Sequence, residues 1–218
     1  IDELAKRSWF KKFIQIGSSE VYGSVESAAT ESSAIRPSSP YAASKAAFDF
    51  HVGAISRQQA FPAVTVMPSN GYCEGQTLNR IMPKTIIAAK TGQKIKLQGG
   101  GQARKSYLHA DDISSGIRLL IDKGALGETY NIGPLESTSI RSVVETLAAM
   151  MGKRLEDVAD IAEERVGQDS QYLLDSAKIK ALGWKQTITL EDGYLRMIKW
   201  IEKYPELLTM ETEYRHRP

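Results

Sequence analysis

The sequence is poor in cysteine, in net charge and in long apolar runs. One cysteine, Cys73, excludes an intramolecular disulfide framework and a cysteine-based zinc site. It also fits a reducing compartment. Lys plus Arg number 28 and Asp plus Glu 26, a net charge of +2. So small an excess leaves no electrostatic footprint for nucleic acid or an anionic membrane, and neither is expected as a partner. The longest apolar runs are of the size of Ala63 to Met67, so no membrane span is expected. His51, His109 and His216 stand too far apart for metal-ligand spacing, and no metal is expected. Ile1 to Arg7 contain no apolar signal core, so a cytoplasmic location is expected. There is no internal repeat and no low-complexity stretch. What remains is globular: 218 residues, 42% hydrophobic and 25% charged, enough for one large domain or two small ones.

Strand and helix signals alternate. Phe13 to Gly17 and Ala63 to Met67 read as buried strands, with Ser106 to His109 and Thr129 to Ile132 as further strands and Lys94 to Gln98 as a short one. The Ser-, Ala- and Pro-rich stretch from Gly23 to Pro40 reads as a long loop. Helices are expected over Tyr41 to Arg57, opened by Pro40; Arg80 to Thr91; Ile113 to Ile121, capped by Asp111; Ser139 to Met151; Asp175 to Leu182; and Leu190 to Ile201. The alternation predicts an α/β fold with parallel pairing.

Tyr41 and Lys45 stand four apart on one of these helices, so they share a face. An ammonium beside a phenol favours the phenolate, and such a tyrosine can take a proton from an alcohol while hydride leaves the same carbon. By itself the pair is common: chance supplies a Tyr-x-x-x-Lys in about every second chain of this length. A surface lysine beside a half-buried tyrosine is the competing reading.

The surroundings are more specific. Ser39-Pro40-Tyr41-Ala42-Ala43-Ser44-Lys45 follows a strand ending in Gly17-Ser18-Ser19-Glu20-Val21-Tyr22-Gly23. Downstream come Pro68-Ser69-Asn70-Gly71-Tyr72, Tyr107-Leu108-His109-Ala110-Asp111-Asp112, Gly127 to Gly133, Arg165-Val166-Gly167-Gln168-Asp169, Asp175 to Ile179 and Leu182-Gly183-Trp184. In this order the blocks resemble the extended short-chain dehydrogenase/reductases, the NAD-dependent nucleotide-sugar epimerases and dehydratases. The last three blocks are most similar to the dTDP-glucose 4,6-dehydratases.

The resemblance implies roles. Tyr41 and Lys45 would be catalytic and would touch NAD. Ser18 would hydrogen-bond the reacting hydroxyl, and Glu20 would take a proton beside the new ketone. Ser19 departs from the aspartate usual in dTDP-glucose dehydratases and resembles GDP-mannose dehydratases and UDP-glucuronate decarboxylases instead. Asn70, Arg80, Arg104, Lys105 and Arg165 would bind the substrate, a nucleotide sugar. Cys73-Glu74 and Gln168 depart from the family pattern near the expected base pocket. A homodimer through the Tyr41 helix is also implied.

One family feature is missing: no Gly-x-Gly-x-x-Gly or Gly-x-x-Gly-x-x-Gly opens the chain, and Gly99-Gly100-Gly101 lies elsewhere. Phe13 to Gly17 resembles the fifth family strand, so roughly a hundred residues are expected upstream in the intact protein, at ~30 residues per βαβ unit. The expected organisation is the C-terminal part of a Rossmann-like parallel sheet over 1–70. A small nucleotide-sugar lobe over 71–218 would be interleaved with returning sheet elements at about 106–133. The expected activity is NAD-dependent 4,6-dehydration of a nucleotide sugar. A 4-epimerase, a UDP-glucuronate decarboxylase and a non-catalytic binding or dimerisation module are the alternatives.

Overall fold

The computed structural model describes residues 1–163 and 171–213. In chain order the elements are α1 (Asp2–Ala5), β1 (Phe13–Ile16), α2 (Pro40–Gln59), β2 (Ala63–Pro68), β3 (Asn70–Tyr72), α3 (Ile81–Thr91), β4 (Ile95–Gln98), β5 (Arg104–Lys105), β6 (Tyr107–His109), α4 (Ala110–Lys123), β7 (Thr129–Ile132), β8 (Thr138–Ser139), α5 (Ile140–Met150), α6 (Leu155–Val158), β9 (Ala159–Ala162), α7 (Ala177–Ala181) and α8 (Leu190–Lys203). Short 3₁₀ turns cover Ser19–Tyr22, Gly99–Gly101 and Pro205–Thr209. Among the described residues, the chain forms two compact units. One comprises 1–71, 106–137 and 171–187, the other 72–105, 138–163 and 188–213.

The first unit is built on a parallel sheet ordered β1-β2-β7, with Ile14 opposite Val64 and Val66 opposite Tyr130. The central strand β2 is buried from Ala63 to Met67 without alternation, as a strand covered on both faces must be. Its side chains alternate between two cores. Val64 and Val66 pack with Leu108, Leu120, Tyr130, Ile132 and Trp184, joined by Ile113 and Ile117 of α4. Ala63 packs with Val52 and Ile55 of α2, and Met67 with Ala46 of α2 and with Val21 and Tyr22. The helices α4 and α2 therefore cover opposite faces of β2. The α/β expectation with parallel pairing stands.

The second unit joins α3, α5 and α8 to a parallel pair, β4–β9, and an antiparallel pair, β5–β8. Ala88, Leu97, Val144, Ala148 and Val158 form its core.

Several expectations need correction. The α4 N-cap is His109, whose Nδ1 accepts the Asp111 N–H at 3.1 Å, and not Asp111. Asp111 already lies in the first helical turn, where its charge meets the positive end of the helix. The helix expected over Asp175 to Leu182 is confined to Ala177–Ala181. Strand β6 pairs with β3, outside the three-stranded sheet. The short elements β5, β8, α6 and β9 were not expected. The first unit also takes in 171–187: Asp112 accepts the N–H and hydroxyl of Thr187 at 3.0 and 2.7 Å, and its carbonyl accepts Trp184 Nε1–H at 3.0 Å.

Candidate active site

Ser18 follows the end of β1 by two residues and caps the 3₁₀ turn Ser19–Tyr22. Its Oγ accepts the Glu20 N–H at 3.2 Å, which fixes the carboxylate-bearing residue to the strand end. Ser18 and Ser19 are buried and Glu20 half-buried. The far end of the turn is anchored in the core. Tyr22 donates its hydroxyl to Asn131 Oδ1 at 2.9 Å, and Asn131 Nδ2 donates to the Ala29 carbonyl at 2.8 Å. The Asn131 backbone N–H reaches Glu31 at 2.8 Å. Burial first, then the nearby Glu31 carboxylate, pushes the Tyr22 phenol far above the usual range, so it is a fixed neutral donor.

Helix α2 brings the second set of residues. Ser39 accepts the Ala42 N–H at 3.1 Å as N-cap and Pro40 fills the first turn, so Tyr41 sits near the start of a helix pinned at its origin. Tyr41 is 54% exposed, open to a substrate from solvent. One turn later Lys45 Nζ donates to the Ile16 carbonyl at the end of β1. That bond ties the Tyr-Lys helix to the strand end carrying Ser18, Ser19 and Glu20, and α2 packs against their turn.

The same stripe continues to Asp49, one turn beyond Lys45, a residue that sequence reasoning passed over. Asp49 Oδ1 accepts from Gln15 Nε2 at 2.9 Å, and Oδ2 is buried with no hydrogen-bond partner. Burial raises its carboxyl above the usual value, opposed by the Gln15 hydrogen bond and the Lys45 charge. The one trace in the sequence is spacing: Tyr41, Lys45 and Asp49 recur every fourth residue, a pattern that a solvated acidic residue would show equally.

Asn70 also belongs to the first unit. Its N–H donates to the Ser106 carbonyl at 3.0 Å, and its side-chain Oδ1 is buried without a partner, an acceptor suited to a ligand donor. Arg80, Arg104 and Lys105 lie in the second unit. Arg80 is exposed at the N-cap position of α3. Arg104 and Lys105 are successive residues of β5, so they project to opposite faces and one flat ligand would meet only one of them. Arg165 and Gln168 lie outside the described residues.

The donor set can be tested against a dinucleotide. After its bond to Ile16, the Lys45 ammonium retains two protons, and with the open Tyr41 phenol these fit ribose hydroxyls. A phosphate cradle is not among these residues: Gly99–Gly101 leads from β4 towards β5 and not into a helix.

The family described as GDP-mannose 4,6 dehydratase matches residues 3–197. A dTDP-glucose 4,6-dehydratase of Haemophilus influenzae is 36% identical over 214 residues, covering 92% of this chain and 63% of that protein. A trifunctional UDP-glucose 4,6-dehydratase/UDP-4-keto-6-deoxy-D-glucose 3,5-epimerase/UDP-4-keto-L-rhamnose-reductase of Arabidopsis thaliana is 30% identical over 90% of this chain and 30% of its own length. The structure of a Bacillus anthracis dTDP-glucose 4,6-dehydratase in complex with NAD superposes with a TM-score of 0.88 at 31% identity, over 94% of this chain and 66% of that one. A Thermus thermophilus UDP-glucose 4-epimerase, 23% identical, shares the fold with a TM-score of 0.82. The chain thus spans between 30% and 66% of the lengths of these dehydratases. With the matched family covering nearly its whole length, this chain belongs to the GDP-mannose 4,6 dehydratase family.

Proposed function

We propose that the whole protein is a nucleotide-sugar 4,6-dehydratase using NAD, with this chain supplying its acid-base residues. The observation that carries the reading is the Lys45–Ile16 bond, which sets the Tyr-Lys pair beside a turn bearing one carboxylate, Glu20. A 4-epimerase needs the tyrosine, the lysine and a hydroxyl, but a dehydratase also needs a carboxylate to move a proton at the carbon next to the ketone.

In this reading Tyr41 takes the proton of the sugar 4-hydroxyl and Ser18 donates a hydrogen bond to that oxygen. Lys45 orients Tyr41 and, with it, would hold the nicotinamide ribose. NAD, when bound, supplies the reversible hydride acceptor that oxidation at C4 requires. Glu20 takes the C5 proton and returns a proton to the C6 hydroxyl as water leaves. Both duties fall to Glu20 because Ser19 stands where a second acid would be, and Ser19 is 3% exposed. The dTDP-glucose and UDP-glucose dehydratase relatives favour a dTDP- or UDP-linked hexose as substrate. The second unit, with Arg80, Arg104 and Lys105, is the proposed nucleotide lobe. The outward side of α2, with Phe48 and Phe50 at 42% and 60% exposure, is the proposed homodimer face, and the cytoplasm the proposed location.

Glu20→Gln in the whole protein tests this. The expected loss in product formation is on the order of 10²–10⁴-fold, with no solvent deuterium entering C5. Undiminished exchange and product would exclude the role, and epimerised sugar from wild type would favour the epimerase reading.

A further inference from the structure

The turn that carries Glu20 is held from both ends. At its start Ser18 Oγ accepts the Glu20 N–H at 3.2 Å, and the Ser18 carbonyl accepts the Val21 N–H at 3.3 Å. At its close the Gly23 N–H reaches the Glu20 carbonyl at 3.1 Å, and a Cβ on Gly23 would run into the Arg36 carbonyl oxygen. Between these, the anchor is polar and deep. Tyr22 is 4% exposed and Asn131 0%. The Tyr22 hydroxyl donates to Asn131 Oδ1 at 2.9 Å, Asn131 Nδ2 donates to the Ala29 carbonyl at 2.8 Å, and the Asn131 N–H donates to Glu31 Oε1 at 2.8 Å. Asn131 lies on β7, opposite Met67 of β2. The sheet register therefore fixes Asn131, and Asn131 fixes Tyr22, two residues beyond Glu20. Packing alone does not call for this bond. A phenylalanine and a leucine would fill the same space, and replacing both partners of a buried hydrogen bond by apolar groups of like shape is close to neutral. An apolar contact sets distance but little direction, whereas a satisfied buried network sets both. Direction matters here because Glu20 is the one carboxylate of the turn.

We propose that Asn131 is a positioning residue for Glu20: through the Tyr22 hydroxyl it sets the angle of the 3₁₀ turn, and with it the direction of the carboxylate. Asn131 touches no reacting atom. Tyr41 and Lys45 are held separately, by the Ser39 cap and by the Lys45–Ile16 bond. Loss of the Tyr22–Asn131 bond should therefore misplace Glu20 more than the tyrosine–lysine pair. The step that suffers is removal of the C5 proton, and not the oxidation at C4 before it.

This inference rests on the proposed role of Glu20, and its test includes a reading that needs no turnover. Wild type, Tyr22→Phe, Asn131→Leu and the double variant of the whole protein are compared. Each single variant strands one buried polar atom, so both should unfold at lower urea. The double variant strands none, because the Ala29 carbonyl keeps the Asp175 N–H at 2.8 Å, and it should recover most of that loss. Amide hydrogen exchange in the turn, 18–23, is read against β2, 63–68. In the double variant exchange in the turn is expected to rise about 10-fold while β2 stays at the wild-type rate. In turnover the same variant should lose about 10–100-fold in product formation and in solvent deuterium entering C5, the scale on which a misplacement of about 1 Å acts. The KM for nucleotide sugar should be unchanged, and the absorbance of reduced nicotinamide should build up. A double variant that regains stability and the full rate of elimination together would show that the bond serves the fold alone, and would overturn the proposal. Unchanged exchange in the turn would overturn it too, as would a rise shared by β2. Wild type that forms no dehydrated sugar, while the turn alone loosens in the variants, would support Asn131 as the anchor of the turn and refute the dehydratase reading instead.

Discussion

At Gly17 a missing side chain is what allows the site to close. A Cβ there would lie 2.3 Å from Met67 Sδ and 2.9 Å from Asp49 Oδ2, so both side-chain ends would have to shift. Gly17→Ala is expected to cost about 1–3 kcal/mol, the usual range for overpacking, read as a lower urea midpoint with an unchanged m-value. A second prediction concerns acid. Asp49 has a folded-state pKa above its ordinary 3.8, so the folded protein binds that proton more tightly than the unfolded chain. The sign follows by linkage: the Asp49 contribution to stability improves as pH falls through the raised value and levels off below about 3.8. Urea midpoints at about pH 7 and about pH 4.5 should therefore show wild type gaining relative to Asp49→Asn on acidification, since the other carboxylates cancel in the difference. A constant difference would mean that Asp49 is not perturbed.

Among the elements, α2 decides most. Its first turn carries Tyr41 and depends on the Ser39 cap, so Ser39→Ala should cost about 1 kcal/mol and fray the tyrosine's turn. The readout is a fall in kcat larger than the change in KM. The outward side of α2 keeps Ala43, Ala47, Phe48, Phe50 and Ala54 exposed, an apolar surface for a twin helix. Ala47→Glu should convert a dimer to monomer in sedimentation velocity at micromolar concentration; a wild-type monomer there would count against the dimer. The sequence exposed α2, α3, α5 and α8 because their apolar residues recur at helical spacing over several turns, and β2 because five apolar or β-branched residues run together. It hid β5 and β8, two residues each, because so short a pair has no periodicity and exists only through Arg104 opposite Ser139 and Lys105 opposite Thr138. The His109 cap was hidden for another reason: an aspartate two residues later is the commoner cap, and only the fold shows that the helix has already begun there. In the site, Tyr41, Lys45, Ser18 and Glu20 were legible as motif residues. Asp49 was not, since an acidic residue on a helix ordinarily reads as solvated, and its burial depends on β1, 34 residues away in sequence.

At the scale of the molecule, the sheet of the first unit is three parallel strands with β1 at one edge. Among the described residues no strand pairs with the outer side of β1, although Phe13 and Ile14 are half-buried and suited to a sheet interior. An open edge of this kind is a template for pairing. The proposed catalytic pair hangs from that strand through Lys45 and Ile16, so a segment pairing with β1 would also border the candidate site. The 218 residues by themselves are therefore expected neither to bind NAD nor to stay monodisperse. Dinucleotide affinity in a Rossmann-like fold rests on backbone amides of a glycine-rich turn and the helix N-terminus behind it; the sequence has no such fingerprint and the described residues no such element. In the proposed reading Tyr41 and Lys45 would serve only the ribose end, and two side-chain donors do not replace a pyrophosphate cradle. Calorimetric titration of the purified chain with NAD should give no heat of binding, and light scattering should show self-association that grows with concentration. A variant carrying a lysine at an exposed position of β1, Ile16→Lys, should reduce the scattering without restoring NAD binding. Micromolar NAD binding by the unmodified chain would show a complete cofactor site within these residues and would overturn the assignment of Tyr41 and Lys45 to one end of a larger one.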